Sequence, residues 1–220
     1  MTPNGKGYRH GEKHPKISAL SVSLSPFEQA KLCMEVEFMI VLTANSFLMN
    51  QFSQGRIAVD SIKKTVDMWR GKGRPVVIEF MYDQATQRDL VTVNQHNFRF
   101  HGERAADDVR INSMLYNWKQ VASHMSLRTF CDADTVILKL LFDVEQILEL
   151  LGACEGFLLK LQHIRATVNE TMRVARQKRD FKPVREAASN GRSTTESSTR
   201  NPSMDDAYGG MKLVPDSYFE

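Results

Sequence analysis

The sequence predicts an all-α protein: one bundle of about five to six helices between disordered N- and C-terminal tails. Three observations predict it. Residues 132–178 read as two long amphipathic helices joined at Gly152. Residues 109–125 place Ile111, Met114, Leu115, Trp118, Val121, Ala122 and Met125 at intervals of three and four, the period of one helical face. Residues 26–52 form a third long apolar run behind a helix-start signal.

In chain order, Ile17 to Leu24 alternates apolar residues with serine, which suits a weak strand or an extended strap on the core. Ser25, Pro26 and Glu28 then combine a capping serine, a proline at the first helical position and a glutamate at the third. The helix they open buries Phe27, Met34, Phe38, Val41, Phe47 and Leu48 in this reading, and its broad apolar surface places it near the centre of the bundle. Gly55 breaks it. Arg56 to Trp69 follows, with Ile57, Ile62, Val66 and Trp69 inward and Lys63 and Lys64 outward. Gly71-Lys72-Gly73-Arg74-Pro75 is a further break.

Residues 76–100 read two ways. Val76, Ile78, Phe80 and Tyr82 alternate with polar or outward positions, and Leu90 to Val93 would supply a hairpin partner. Pro75 as a helix start and the glycine-free run Asp83 to Arg88 favour helix, which is the preferred reading. Residues 96–108 form a polar connector. In the first helix of the final pair, Val136, Ile137, Leu140, Leu141, Val144, Ile147, Leu148 and Leu151 face inward, and Lys139, Asp143, Glu145 and Glu149 face water. Asp132 and Asp134 are placed to accept its first free amides, and Gly152 to close it in a left-handed conformation. Phe157, Leu158, Leu161, Ile164, Val168, Met172 and Ala175 form the stripe of the second helix, so a short link makes the pair antiparallel.

The domain therefore spans 17–182, between a disordered basic N-terminus at 1–16 and a disordered polar tail at 183–220. The terminal Leu213-Val214-Pro215-Asp216-Ser217-Tyr218-Phe219-Glu220 carries apolar anchors suited to docking. At 42% hydrophobic, the 220 residues suffice for one real core. A membrane helix needs roughly 18 charge-free apolar residues; the richest window, Cys33 to Met49, is interrupted by Glu35 and Glu37, so a core helix and no membrane contact are expected. The polar N-terminus is unlike a secretory signal. Cys33, Cys131 and Cys154 are odd in number and embedded in apolar runs, as buried thiols of a reducing compartment would be.

Catalytic signatures are missing. Glu35 and Glu37 diverge on a helix, His96 and His101 lie in the connector, and His124 and His163 stand alone. The sequence holds no HExxH, no CxxC pair and no GxSxG elbow, so no metal, no cofactor and no catalytic residue is assigned. Cys131, just ahead of a helix, is the best single nucleophile candidate but lacks an adjacent histidine.

What stands out is the distribution of charge. The net charge of +3 divides into +3 over residues 1–16, about −2 over 17–164, +5 over 165–192 and −3 over 193–220. Arg173, Arg176, Lys178, Arg179, Lys182 and Arg185 form a basic run at the end of the last helix, leading into the polar tail. Such a run serves either ordinary helix termination or nuclear import and anion contact. Without a recognition helix or RNP-type aromatics, any nucleic-acid contact would be by non-specific charge.

Four strings carry a family resemblance: Ile78 to Leu90, Phe98-Arg99-Phe100-His101-Gly102-Glu103, Leu115 to Lys119, and Arg128-Thr129-Phe130-Cys131. Over roughly residues 26–178 the chain resembles the filamentous-fungal hypoxia-responsive morphology factor family. The resemblance implies a non-enzymatic regulator in the nucleus that acts through protein partners on gene expression and on colony or biofilm morphology in low oxygen. The alternatives are a cytoplasmic location and a small helical enzyme or ligand-binding domain with a pocket beside residues 26–52.

Overall fold

The computed structural model describes residues 20–102 and 107–180, and these form an all-α bundle of six helices. They are α1 (Pro26–Ser53), α2 (Val59–Gly71), α3 (Gln84–Asn94), α4 (Asp108–Leu127), α5 (Asp134–Leu151) and α6 (Glu155–Asp180), with a single 3-10 turn at Gln95–Asn97. The expected boundaries at residues 16 and 182, both tails and the terminal 213–220 segment lie outside the described residues.

α1 starts as its sequence dictates. Ser25 Oγ accepts the Glu28 N–H, and Glu28 Oε2 accepts the Ser25 N–H at 2.7 Å, completing a capping box with Pro26 in the first turn. α1 packs against α3, α5 and α6, as its central placement required. It buries Leu32, Val36, Met39, Ile40, Ala44, Phe47 and Leu48. By length and composition alone it is apolar enough to cross a membrane, yet half of that stretch is buried in the bundle. The other half corrects the sequence reading: Phe27 is 78% exposed and Phe38 57%, and Met34 is exposed beside them. These three sit at i, i+7 and i+11, a second apolar stripe on the solvent side.

The pattern reading is most accurate on α4, where all seven predicted inward residues are buried and Trp118 is wholly enclosed. α4 packs along α5, and α5 along α1 and α6. α5 buries Ile137, Leu140, Leu141, Val144, Ile147, Leu148 and Leu151, while Val136 turns outward. Asp143, expected in water, is buried, where it pairs with Lys139 and accepts from Asn117 Nδ2 at 3.3 Å. α5 ends at Gly152 (φ +73°), and the Ala153 N–H returns to the Leu148 carbonyl at 2.8 Å.

Residues 76–100 form neither a hairpin nor one helix. Val76 to Asp83 is an irregular segment that turns at Ile78–Phe80, where the Met81 N–H returns to the Ile78 carbonyl at 3.1 Å; then Asp83 Oδ1 accepts the Thr86 N–H at 2.8 Å and α3 begins. No ladder forms, because the buried Asn45 side chain takes the Phe80 N–H at 3.0 Å and Glu79 stands at φ +54°. α2 begins later than expected, at Val59; Ile57 and Trp69 are buried, Ile62 and Val66 only half-buried. The connector after α3 is not wholly polar. Phe98 and Phe100 are buried and meet Phe47, Phe98 edge-on and Phe100 stacked, each at 5.5 Å. The His101 N–H then caps the Leu150 carbonyl at 2.9 Å, and the His101 ring lies against Gly152.

Candidate functional site

The basic run opens on the last described turns of α6. Val168 and Met172 anchor that end of the helix in the core, leaving Arg173, Arg176, Lys178 and Arg179 exposed. At 100° per residue the four cations do not share one face. Arg179 falls within about 20° of Met172, and Arg173 and Lys178 splay to opposite flanks. Lys182 and Arg185 lie outside the described residues.

The sequence treats these cations as equals, and the structure separates them. Arg173 makes a bidentate pair with Glu170, Nε and Nη2 donating at 2.8 and 2.7 Å. Those hydrogen bonds hold the Glu170 carboxyl below its ordinary range and raise Arg173. Arg179 turns inward, donating to Ser23 Oγ at 3.3 Å and lying 3.9 Å from Asp134. Arg176 and Lys178 alone have no ion-pair partner among the described residues.

Arg179 reaches a junction that sequence reasoning missed. Asp134 is 2% exposed and does not cap α5, whose N-cap, Ala133, offers no side chain. Its Oδ1 accepts the Ser23 N–H at 2.8 Å, and Oδ2 accepts the hydroxyls of Ser23 at 2.8 Å and Ser21 at 2.9 Å. The Asp134 N–H returns to the Ser21 carbonyl at 2.8 Å. Burial pushes this carboxyl up, but the hydrogen bonds from Ser23 and Ser21 and the Arg179 charge outweigh it and hold the group below its ordinary range. Residues 20–23 are thus an extended strap with Ser21 and Ser23 turned inward and Leu20 and Val22 out, and at Leu24, which is buried, the alternation ends. The alternating serines were the available signal, since period two puts Ser21 and Ser23 on one side.

The remaining candidates are placed as follows. Asp132 does not cap α5 either: its Oδ2 meets His124 Nε2 at 3.0 Å, so His124 is not isolated. Cys33 is half-buried, its thiol pushed up by burial and by the Asp132 and Glu37 charges. Cys131 and Cys154 are exposed, contrary to the buried thiols expected. They fall at the two ends of α5, where loop backbone leaves their short side chains outside the stripes. Glu35 lies 3.4 Å from Lys160. Among the described residues no cluster of three or more His, Cys, Asp or Glu is placed to hold a metal ion.

A groove of about 300 Å³ does lie beside α1, against α6, lined by Leu24, Glu28, Leu32, Glu35, His163 and Val168 among others. Its carboxylates are committed, Glu28 to the α1 cap and Glu35 to Lys160, and it includes neither Glu37 nor Cys131.

No protein-family model, curated protein or solved structure matches this chain.

Proposed function

We propose that the chain is a non-enzymatic nuclear regulator that works through protein partners, of the kind its family resemblance implies: a factor modulating gene expression and colony or biofilm morphology in low oxygen. The observation that carries this reading is the exposed couple Arg176 and Lys178 on the last described helix, which have no ion-pair partner among the described residues. A carrier that reads basic residues needs them accessible, and among the described residues neither of these two has an ion pair to break first. Arg173 and Arg179 are supporting charges already engaged by Glu170 and by the strap. The same couple gives nucleic acid only a salt-sensitive, sequence-independent contact.

The test is the distribution of the fluorescently tagged full chain between nucleus and cytosol. Arg176→Gln with Lys178→Gln removes two exposed charges that make no ion pair among the described residues. Nuclear accumulation is expected to fall in that variant and to hold in Arg173→Gln. An unchanged distribution in the double variant overturns the proposal. Affinity purification with mass spectrometry then reads the partner class, chromatin-associated or metabolic.

A further inference from the structure

A second apolar surface feature lies away from α6. Between α2, the end of α1 and the segment 76–82 runs an open groove of about 730 Å³, with Phe52, Val59, Val66, Trp69, Val76 and Phe80 among its lining residues. Its floor is built and rigid. Trp69 packs edge-on to Tyr82 at 5.1 Å and donates Nε1–H to the Pro75 carbonyl at 2.7 Å; Phe52 meets Phe80 at 5.9 Å. The wall at 76–82 is fixed by buried amides: Asn45 Oδ1 holds the Phe80 N–H, and Gln87 Nε2 holds the Phe80 carbonyl at 2.8 Å. Val59 and Val76, 75% and 83% exposed, are therefore held outward by ordered backbone. A contiguous apolar lining this open marks a contact site.

Charge selects the occupant. Lys63 and Arg70 stand on the rim, exposed, with no ion pair among the described residues. The one carboxylate in the lining, Glu79, is already bound by Asn45 Nδ2 at 2.7 Å. Arg74 lies 4.7 Å over the Trp69 ring and pairs with Asp83. The groove thus joins an apolar floor to a net positive lining, two cations against the one carboxylate Glu79. Its openness favours a segment that brings its own backbone hydrogen bonds over a small molecule, which needs most of its surface enclosed.

We infer that this groove docks an acidic amphipathic helix of a partner protein, with aliphatic or aromatic anchors on the Phe52–Val66–Trp69 floor and its carboxylates toward Lys63 and Arg70. This rests on the reading that the chain works through protein partners, and it names the surface and the partner chemistry.

The test uses the full chain and a fluorescein-labelled designed helix of ~14 residues, with leucine and tryptophan at i, i+3, i+4 and i+7 and glutamate on the flanks. A sister peptide carries lysine for every glutamate. By anisotropy the acidic helix is expected to bind at least about tenfold tighter than the basic one, with the gap narrowing in high salt. Val59→Glu and Val76→Glu alter exposed side chains, so circular dichroism should be unchanged while acidic-helix binding weakens at least about tenfold. Lys63→Glu with Arg70→Glu should abolish or invert the charge preference. Equal binding of both peptides, binding of neither, or full binding to Val76→Glu overturns the inference. So does a dimer in sedimentation that Val76→Glu dissolves, which assigns the groove to a second copy, or displacement of the helix by oleate at lower concentration than the peptide, which assigns it to a lipid. Peptide binding is read outside the cell and transport inside it, so failure of the groove and failure of the nuclear reading are told apart.

Discussion

Replacing Gly152 by alanine tests the joint between α5 and α6. Two costs add there. Gly152 sits at φ +73°, where an L side chain is disfavoured by about 1–2 kcal/mol. A Cβ built on it would also fall 2.5 Å from Cδ2 and 2.8 Å from Nε2 of the His101 ring. The ring cannot simply step aside, since the His101 N–H is fixed to the Leu150 carbonyl and the ring stands edge-on to Phe47 at 6.3 Å. Forcing an extra methyl into such a contact costs typically ~1–3 kcal/mol. The expected loss is about 2–5 kcal/mol, which at roughly 2–4 °C per kcal/mol lowers Tm by about 4–20 °C. Urea denaturation of Gly152→Ala in the wild-type and His101→Ala backgrounds separates the terms, because His101→Ala removes the clash and leaves only the backbone strain. Gly71→Ala is the control: open space surrounds it and its φ is negative, so it should be neutral or stabilising by up to about 1 kcal/mol. A Gly152→Ala loss under about 0.5 kcal/mol, or the same loss in both backgrounds, refutes the reasoning.

Asp134→Asn should cost roughly 2–3 kcal/mol, by weakening charge-assisted hydrogen bonds at a buried site. Because the Asp134 carboxyl is lowered in the fold, its contribution is fully present above the unfolded carboxylate pKa and is lost as pH falls toward the folded one. Urea midpoints followed from neutral pH down through the carboxylate range should therefore fall less steeply for Asp134→Asn than for wild type. Asn45→Ala leaves the buried Phe80 N–H without its acceptor and should cost about 1–3 kcal/mol by chemical denaturation, with little loss of helix signal. Phe47→Ala should cost about 3–5 kcal/mol and Phe38→Ser under about 0.5, a contrast calorimetry reads directly and the helix periodicity of α1 alone does not supply.

What was legible in the sequence was local. The Ser25–Glu28 capping box, the α4 stripe and the Gly152 terminus all depend on residues within a few positions of one another, where spacing determines geometry. What was not legible depends on distant partners. Asp134 had a plausible local duty as a cap, but Ser21 and Ser23, more than a hundred positions away, compete for the same oxygens and offer better enclosed bonds. The alternation at Val76 to Tyr82 does not make a strand: the chain turns at Ile78–Phe80, with Glu79 at φ +54°, and Asn45 occupies the Phe80 amide. On α1 the apolar width exceeds what the neighbouring stripes can cover, and periodicity cannot say which side they choose. The basic run was visible as composition; that Arg173 and Arg179 are engaged, while Arg176 and Lys178 have no ion pair among the described residues, required Glu170 and Asp134 in space.

The strap junction has a kinetic consequence. One carboxylate gathers the first described segment, the start of α5 and the closing turn of α6. Helix ends ordinarily fray one by one at little free-energy cost, and amides there exchange with solvent quickly. Here the end of α6 and the strap should exchange as one cooperative unit, since losing Ser21 and Ser23 frees the oxygen toward which Arg179 is drawn. Protection at the last turn of α6 is then set by residues at the opposite end of the described chain, and its exchange rate reports whether the strap is seated.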